Sequence, residues 1–219
     1  FRPDLNKLPD GVRAEWSVAL LLEKELPEGW QIFYGLNYES ADRKGGDGIW
    51  EGELDLTILG PSGDLLILEV KAGALIWENG TAYRQYGNRR SDVGEQLKRQ
   101  HASMHAKLNE AQIASYVNNA LVLPDSLAPE GFSVLKHPGN RIIDQSDLPN
   151  IREVVEEILS SRGNEGAPRP DVVKQMSHFL KSEFRITLQP QLLIAAIQGE
   201  TARLKEGQAT WLSQLRLPP

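Results

Sequence analysis

Residues 52–71 constrain the fold of this chain more than any other stretch, because they predict two strands joined by a tight turn. In the first run, Leu54, Leu56 and Ile58 alternate with polar residues, which predicts a strand with one apolar face. Residues 60–64 have the glycine and proline content of a turn. Residues 65–70 are almost entirely apolar, as in a strand that is buried on both faces. The stretch therefore predicts an antiparallel hairpin inside a sheet.

Charged side chains lie near the end of this predicted hairpin. Glu69 and Lys71 are two residues apart, so both point to one face of the second strand. Antiparallel pairing brings Asp55 beside Glu69, where the two carboxylates repel each other. A divalent cation removes this repulsion, and carboxylate oxygens without thiolates favour Mg²⁺ or Mn²⁺. A cation beside an ammonium group suits phosphodiester hydrolysis, whereas the alternative is a structural Glu–Lys ion pair at a strand end.

A family resemblance supports the first interpretation. Asp55 followed by Glu69-Val70-Lys71 resembles the D…ExK signature of the PD-(D/E)XK nuclease superfamily, although Leu54 stands where the superfamily motif has proline. Residues 52–56 together with 65–73 resemble the NERD (nuclease-related) domain, and the likeness runs from about residue 15 to residue 123. It implies a restriction-endonuclease-like α/β core with a central mixed β-sheet flanked by helices. It also implies that Asp55, Glu69 and the Val70 carbonyl bind Mg²⁺ or Mn²⁺, while Lys71 positions or activates the attacking water.

Two more residues join the site through the same resemblance. A helix predicted over residues 12–26 carries Glu15 on its apolar stripe. The resemblance implies that Glu15 is a third acidic residue of the site and a candidate metal ligand; the alternative is a side chain whose stem packs while its carboxylate reaches water. Gln96 lies early in a helix predicted over residues 91–114, where NERD-like sequences have an active-site glutamine. A glutamine there can orient the attacking water or donate to a phosphate oxygen.

The chain is acidic overall but has one basic stretch. Its net charge of −6 argues against a protein that coats nucleic acid through its total charge. Phosphate contacts are instead predicted for five residues around the start of the second helix, namely Arg84, Arg89, Arg90, Lys98 and Arg99. The alternative for this stretch is a solvated helix face.

The remaining elements complete the predicted architecture. Predicted strands at about 116–123, 132–135 and 141–143 and a predicted helix at 150–160 follow the second helix. The chain thus resembles the core order of the nuclease superfamily, which is helix, three strands, helix, strand and implies a mixed sheet with helices on its faces. Residues 161–170 have the composition of a linker. We therefore expect a nuclease-like domain (1–161), a linker (162–170) and a small helical C-terminal extension (171–219), with helices near 172–184, 191–196 and 207–215. Residues 204–215 resemble the segment before the ATP-binding loop of UvrD/Rep-type superfamily 1 helicases, which implies a helicase domain in cis.

Together with the resemblance, these observations predict a Mg²⁺- or Mn²⁺-dependent deoxyribonuclease domain that is coupled to a helicase and takes part in DNA repair. Single-stranded and branched DNA are candidate substrates, and the sequence does not separate them from double-stranded DNA. One alternative is a non-catalytic module of the same fold that binds DNA or a protein partner. Another is a phosphodiesterase for RNA, which no residue pattern separates from one for DNA. The chain has no cysteine and no apolar run near the ~20 residues of a membrane span, so we expect a cytoplasmic protein without a membrane partner.

Overall fold

A six-stranded mixed sheet forms the centre of the molecule. The computed structural model describes residues 4–41, 49–132, 140–160 and 167–186. Its helices are α1 (Asp10–Glu25), α2 (Val93–Glu110), α3 (Ile151–Ser160) and α4 (Pro170–Glu183). Its strands are β1 (Gln31–Ala41), β2 (Ile49–Leu59), β3 (Leu65–Val70), β4 (Ile76–Glu78), β5 (Thr81–Tyr86), β6 (Arg89–Asp92), β7 (Val117–Leu123), β8 (Asn140–Asp144) and β9 (Arg185–Ile186). The order of strands in the sheet is β8-β7-β3-β2-β1-β9.

The direction of pairing changes at β3. Strands β1, β2 and β3 pair antiparallel, whereas β7 pairs parallel to β3 and β8 parallel to β7. Both β3 and β7 are buried along their whole length. Strand β3 is apolar apart from Glu69, as expected for a strand covered on both faces, whereas β7 also buries Asn118 and Asn119. The predicted α/β fold, with a central mixed sheet flanked by helices, is therefore confirmed.

Helices cover both faces of the sheet. On one face, α1 and α3 pack against Leu56, Ile58 and Leu66. On the other face, α2 and α4 pack against Leu54, Leu65 and Ile67. Residue Pro170, at the end of the predicted linker, begins α4. The part of the predicted C-terminal extension that the structure describes thus contributes one helix to the second face and the edge strand β9 to the sheet.

The side chains of strand β2 change faces at Asp55. This turnover differs from the prediction, because the alternating sequence predicts a single apolar face along the whole strand. Leu56 belongs to the core under α1, but Leu54, two residues earlier, belongs to the core under α2. On a regular strand these two side chains would face the same way. The turnover lies opposite Gly35 of β1, which has a φ of +61°. Glycine adopts this left-handed conformation without the steric cost that other residues pay, so the strand pair can twist here.

A small second sheet of β4, β5 and β6 follows the hairpin. Its last strand corrects the sequence prediction, because residues 91 and 92 were expected to begin the second helix. They lie in β6, and α2 begins at Val93, where the Asp92 side chain caps the helix by accepting from the Glu95 N–H at 3.1 Å. The strand predicted near residues 132–135 and the helices predicted near 191–196 and 207–215 fall outside the described residues, apart from Phe132.

Candidate active site

The site lies at a fork where β2 and β3 separate. Their regular pairing ends at Leu56 and Leu68, one residue before Asp55 and Glu69 would face each other. Beyond that point the Asp55 side chain replaces the missing backbone acceptor, because its Oδ2 accepts from the Val70 N–H at 2.8 Å. The fork therefore holds two acidic residues of adjacent strands close together, as the hairpin pattern predicts.

Three side chains donate to the carboxylate of Glu69, which is fully buried. Lys71 and Gln96 both contact Oε1, Gln96 through its Nε2 at 2.7 Å. Gln100 contacts the other oxygen, Oε2, through its own Nε2. Both glutamines come from α2, one turn apart, so the position of this helix decides how Glu69 is held.

Glu15 reaches the same region from α1. Its Oε2 accepts from the Tyr34 hydroxyl of β1 at 2.7 Å, and the ring of Tyr34 lies 5.0 Å from that of Trp16. Burial raises the pKa of Glu15, the Tyr34 hydrogen bond lowers it, and the negative charges of Glu53 and Glu69 raise it again. Glu15 thus belongs to the electrostatic environment of the site, and its carboxylate is held by Tyr34.

The charges at the fork are mutually dependent. Burial raises the pKa of Asp55 well above its ordinary value, and the charge of Glu69 raises it further, whereas Lys71 lowers it. Burial lowers the pKa of Lys71, but Glu69 and Asp55 outweigh this effect, so the net shift is upward. Lys71 is therefore a cation at the fork. Its single positive charge cannot balance the carboxylates of both Asp55 and Glu69.

The five residues predicted to contact phosphate are in different surroundings. Arg84 is half-buried and donates to the Ala72 carbonyl, directly after Lys71. Arg90 pairs with Glu78 at 2.8 Å, and Lys98 pairs with Glu95 at 2.6 Å. Arg89 and Arg99 are exposed on β6 and α2. The five residues are therefore close in sequence to Lys71 and Gln96 of the site. The side chain of Arg84, however, supports the backbone next to Lys71.

Two contacts of this site come from residues that were not predicted to belong to it, Gln100 and Tyr34. A signal for Gln100 existed, since it is the one amide on a stripe of Val93, Leu97, Met104 and Leu108, four residues after Gln96. For Tyr34 no local signal could identify the partner, because Glu15 is nineteen residues away on another element.

The described residues contain no group of three or more His, Asp or Glu side chains arranged to hold one metal ion. None of the helices in this part of the chain is long and apolar enough to span a membrane.

Comparison with known proteins identifies the family. The model of the nuclease-related domain matches residues 10–124, which is just over half of the chain and contains α1, the fork and α2. No curated protein and no solved structure gave a match. The matched family implies a nuclease-related function and a nucleic-acid substrate. With the expected acidic residues, lysine and glutamine gathered at one fork, the chain belongs to the nuclease-related domain family.

Proposed function

We propose that this chain is a metal-dependent nuclease domain that hydrolyses phosphodiester bonds in DNA. The observation that carries the proposal is the meeting of Asp55, Glu69 and Lys71 at the fork between β2 and β3. Each of these side chains is partly or fully buried, and the chain supplies them from adjacent strands. A buried acidic group with a raised pKa, such as Asp55, beside a lysine is typical of catalytic sites.

The donor set suits a small divalent cation. Burial and then the charge of Glu69 raise the pKa of Asp55, and a cation between the two carboxylates would relieve their repulsion. Mg²⁺ commonly binds through only one or two carboxylates and keeps several waters. We therefore assign Asp55, Glu69 and the Val70 carbonyl as ligands of Mg²⁺ or Mn²⁺. Glu15, whose carboxylate is held by Tyr34, is assigned an indirect role through water. Such a cation, when bound, makes water a better nucleophile and neutralises charge on the phosphate.

Lys71 and Gln96 would act on the substrate and the attacking water. The raised pKa of Lys71 keeps it protonated near neutral pH in the metal-free site, where it is a fixed cation. An ammonium group aimed at the transferring phosphate stabilises the charge that develops in the transition state. Gln96 donates to Glu69 through Nε2, which leaves its amide oxygen to orient a water.

DNA would approach over β6 and the start of α2. Arg89, Arg90, Lys98 and Arg99 are exposed there, and we propose that they contact phosphates. Arg84 would contribute indirectly by holding the backbone after Lys71. The proposal also includes single-stranded or branched DNA as the substrate and a helicase domain in cis. The helicase domain is proposed from the sequence of residues 204–215 alone.

The test is a panel of labelled single-stranded, double-stranded and branched DNA incubated with Mg²⁺, Mn²⁺ or a chelator. We expect cleavage with metal, none with chelator, and a loss of about 100-fold or more in Lys71→Ala and Asp55→Ala. Lys24→Ala, which changes an exposed lysine on α1, should cleave like the wild type. Cleavage of every substrate by both site variants at the wild-type rate would contradict the proposal. Labelled RNA in the same panel separates a deoxyribonuclease from a ribonuclease.

One observation favours a non-catalytic DNA- or partner-binding module instead. Oε1 of Glu69 already accepts from Lys71 and Gln96, so a cation that binds this oxygen must compete with both donors. A module of that kind predicts DNA binding that does not depend on metal and no cleavage of any member of the panel.

A further inference from the structure

We propose that Gln100 is a positioning residue that sets the geometry of Glu69 as a metal ligand; this inference rests on the function proposed above. Gln100 is buried, with only 1% of its surface exposed, and it lies on the inner face of α2. Its Nε2 donates both to Oε2 of Glu69 and, at 3.0 Å, to the carbonyl of Glu53. One amide therefore joins β3 to β2 across the fork.

The orientation of this amide is determined by its neighbours. A carboxylate oxygen and a backbone carbonyl are both acceptors, so only the NH₂ group of Gln100 can face them. Both of its N–H bonds are then used. The amide oxygen is buried and has no hydrogen-bond partner among the described residues. A buried acceptor without a partner is unfavourable, and such a local violation of packing rules is expected at a functional site.

Gln100 does on one side of the fork what Asp55 does on the other. Where the pairing of β2 and β3 ends, Asp55 accepts a hydrogen bond from the Val70 N–H, and Gln100 donates one to the Glu53 carbonyl. These two side chains replace ladder hydrogen bonds and fix how far the strands part. Since Gln100 also holds Oε2 of Glu69, the separation of the two ligand carboxylates depends on it. Gln96 differs in its role, because it contacts Oε1, the oxygen that Lys71 also contacts.

The test compares two variants on the same face of α2. Gln100→Met keeps the length of the side chain but removes both donors. Met104→Ala, one turn later and equally buried, disturbs the core without touching Glu69. Mn²⁺ binding is measured by isothermal titration calorimetry without nucleic acid, and unfolding by urea is measured in chelator. We expect Gln100→Met to bind Mn²⁺ about 10–100-fold more weakly. Met104→Ala should lose stability but retain the wild-type Kd for Mn²⁺.

The outcomes separate this inference from the proposed function. A wild-type protein that binds no Mn²⁺ would overturn the metal-dependent function and this inference with it. A wild type that binds, together with a Gln100→Met variant of unchanged Kd, would overturn only the role of Gln100. Equal weakening in Gln100→Met and Met104→Ala would also overturn it, because general loosening of α2 would then explain both. If Gln100→Met does not fold, Gln100→Asn, whose shorter amide cannot span both acceptors, is judged by the same Kd comparison.

Discussion

Asp55 combines a structural and a chemical task in one side chain. Its Oδ2 accepts from the Val70 N–H, while its charge lies close to that of Glu69. Burial and then the charge of Glu69 raise its pKa, so folding without a cation disfavours the ionised form of Asp55 relative to the unfolded chain. A group of this kind stabilises the fold at pH values below its ordinary pKa, and this contribution is lost as the pH rises through the raised pKa.

This sign gives a prediction for Asp55→Asn. The asparagine keeps an oxygen for the Val70 N–H and removes the charge that Glu69 repels. In chelator at about pH 8 we expect the variant to be more stable than the wild type, because it does not bear the cost of a buried carboxylate beside Glu69. The difference should shrink as the pH falls towards the ordinary pKa of 3.8. Urea unfolding across this pH range measures it.

Added Mn²⁺ supplies the control for the same pair. The wild type should gain about 2.7 kcal/mol at a metal concentration 100 times its Kd, whereas Asp55→Asn should gain much less. A variant that is less stable than the wild type at every pH in chelator would show that the Asp55 charge is not repelled in the native state.

At the level of elements, the turn between β2 and β3 is tied to α4. Asp64 is buried and accepts from the Tyr116 N–H at 3.1 Å and from Arg169 at 3.0 Å. Gly63 lies against Val172 and has a φ of +83°. The turn composition predicted from the sequence therefore serves a packing contact as well as a change of direction.

Two glycines of similar conformation allow this contact to be measured. Gly63 and Gly80 have φ values of +83° and +75°. A Cβ on Gly80 would meet nothing within 4 Å, but on Gly63 it would lie 2.6 Å from Cγ1 of Val172. We expect Gly80→Ala to cost about 1–2 kcal/mol from backbone strain, and Gly63→Ala to cost a further 1–3 kcal/mol from overpacking. Denaturant unfolding compares the two.

Removing part of the neighbouring side chain tests the cause. Val172→Ala deletes Cγ1, so in the Gly63→Ala background it should recover some of the lost stability, and the double-mutant cycle should show coupling. Equal costs for Gly63→Ala and Gly80→Ala would mean that α4 moves aside freely.

Elements with a clear periodic pattern could be predicted from the sequence, whereas those that depend on partners could not. The hairpin, α1, α2 and β7 follow from apolar spacing within one segment. Strand β6 has the sequence Arg-Arg-Ser-Asp, which lacks alternation, and it exists because β5 offers a pairing edge. The turnover of β2 at Asp55 depends on Gly35, which lies on another strand. The ExK spacing predicted the Glu69–Lys71 contact, but not the second glutamine that holds Glu69.

The whole molecule is acidic, while its exposed arginines near the site are few. With a net charge of −6, binding to a polyanion depends on local contacts and not on total charge. Each phosphate contact made by an exposed cation releases about one counterion, which a salt titration detects.

We therefore predict a shallow salt dependence of DNA binding. In chelator, which prevents metal-dependent cleavage, Arg89→Ala should weaken binding and reduce the slope of log K against log salt by about one. Lys24→Ala, an exposed charge change on α1, should leave the slope unchanged. Fluorescence anisotropy at several salt concentrations measures both. An unchanged slope in Arg89→Ala would remove β6 from the DNA-binding surface.

The fork also affects how much of the chain the site needs. Two of the three donors that hold Glu69 come from α2, which follows β3 and the small second sheet in the chain. A chain cut before α2 would keep only the Lys71 contact to this carboxylate. The acidic residues and the lysine lie within one short hairpin, but their arrangement depends on a helix that is supplied later in the sequence.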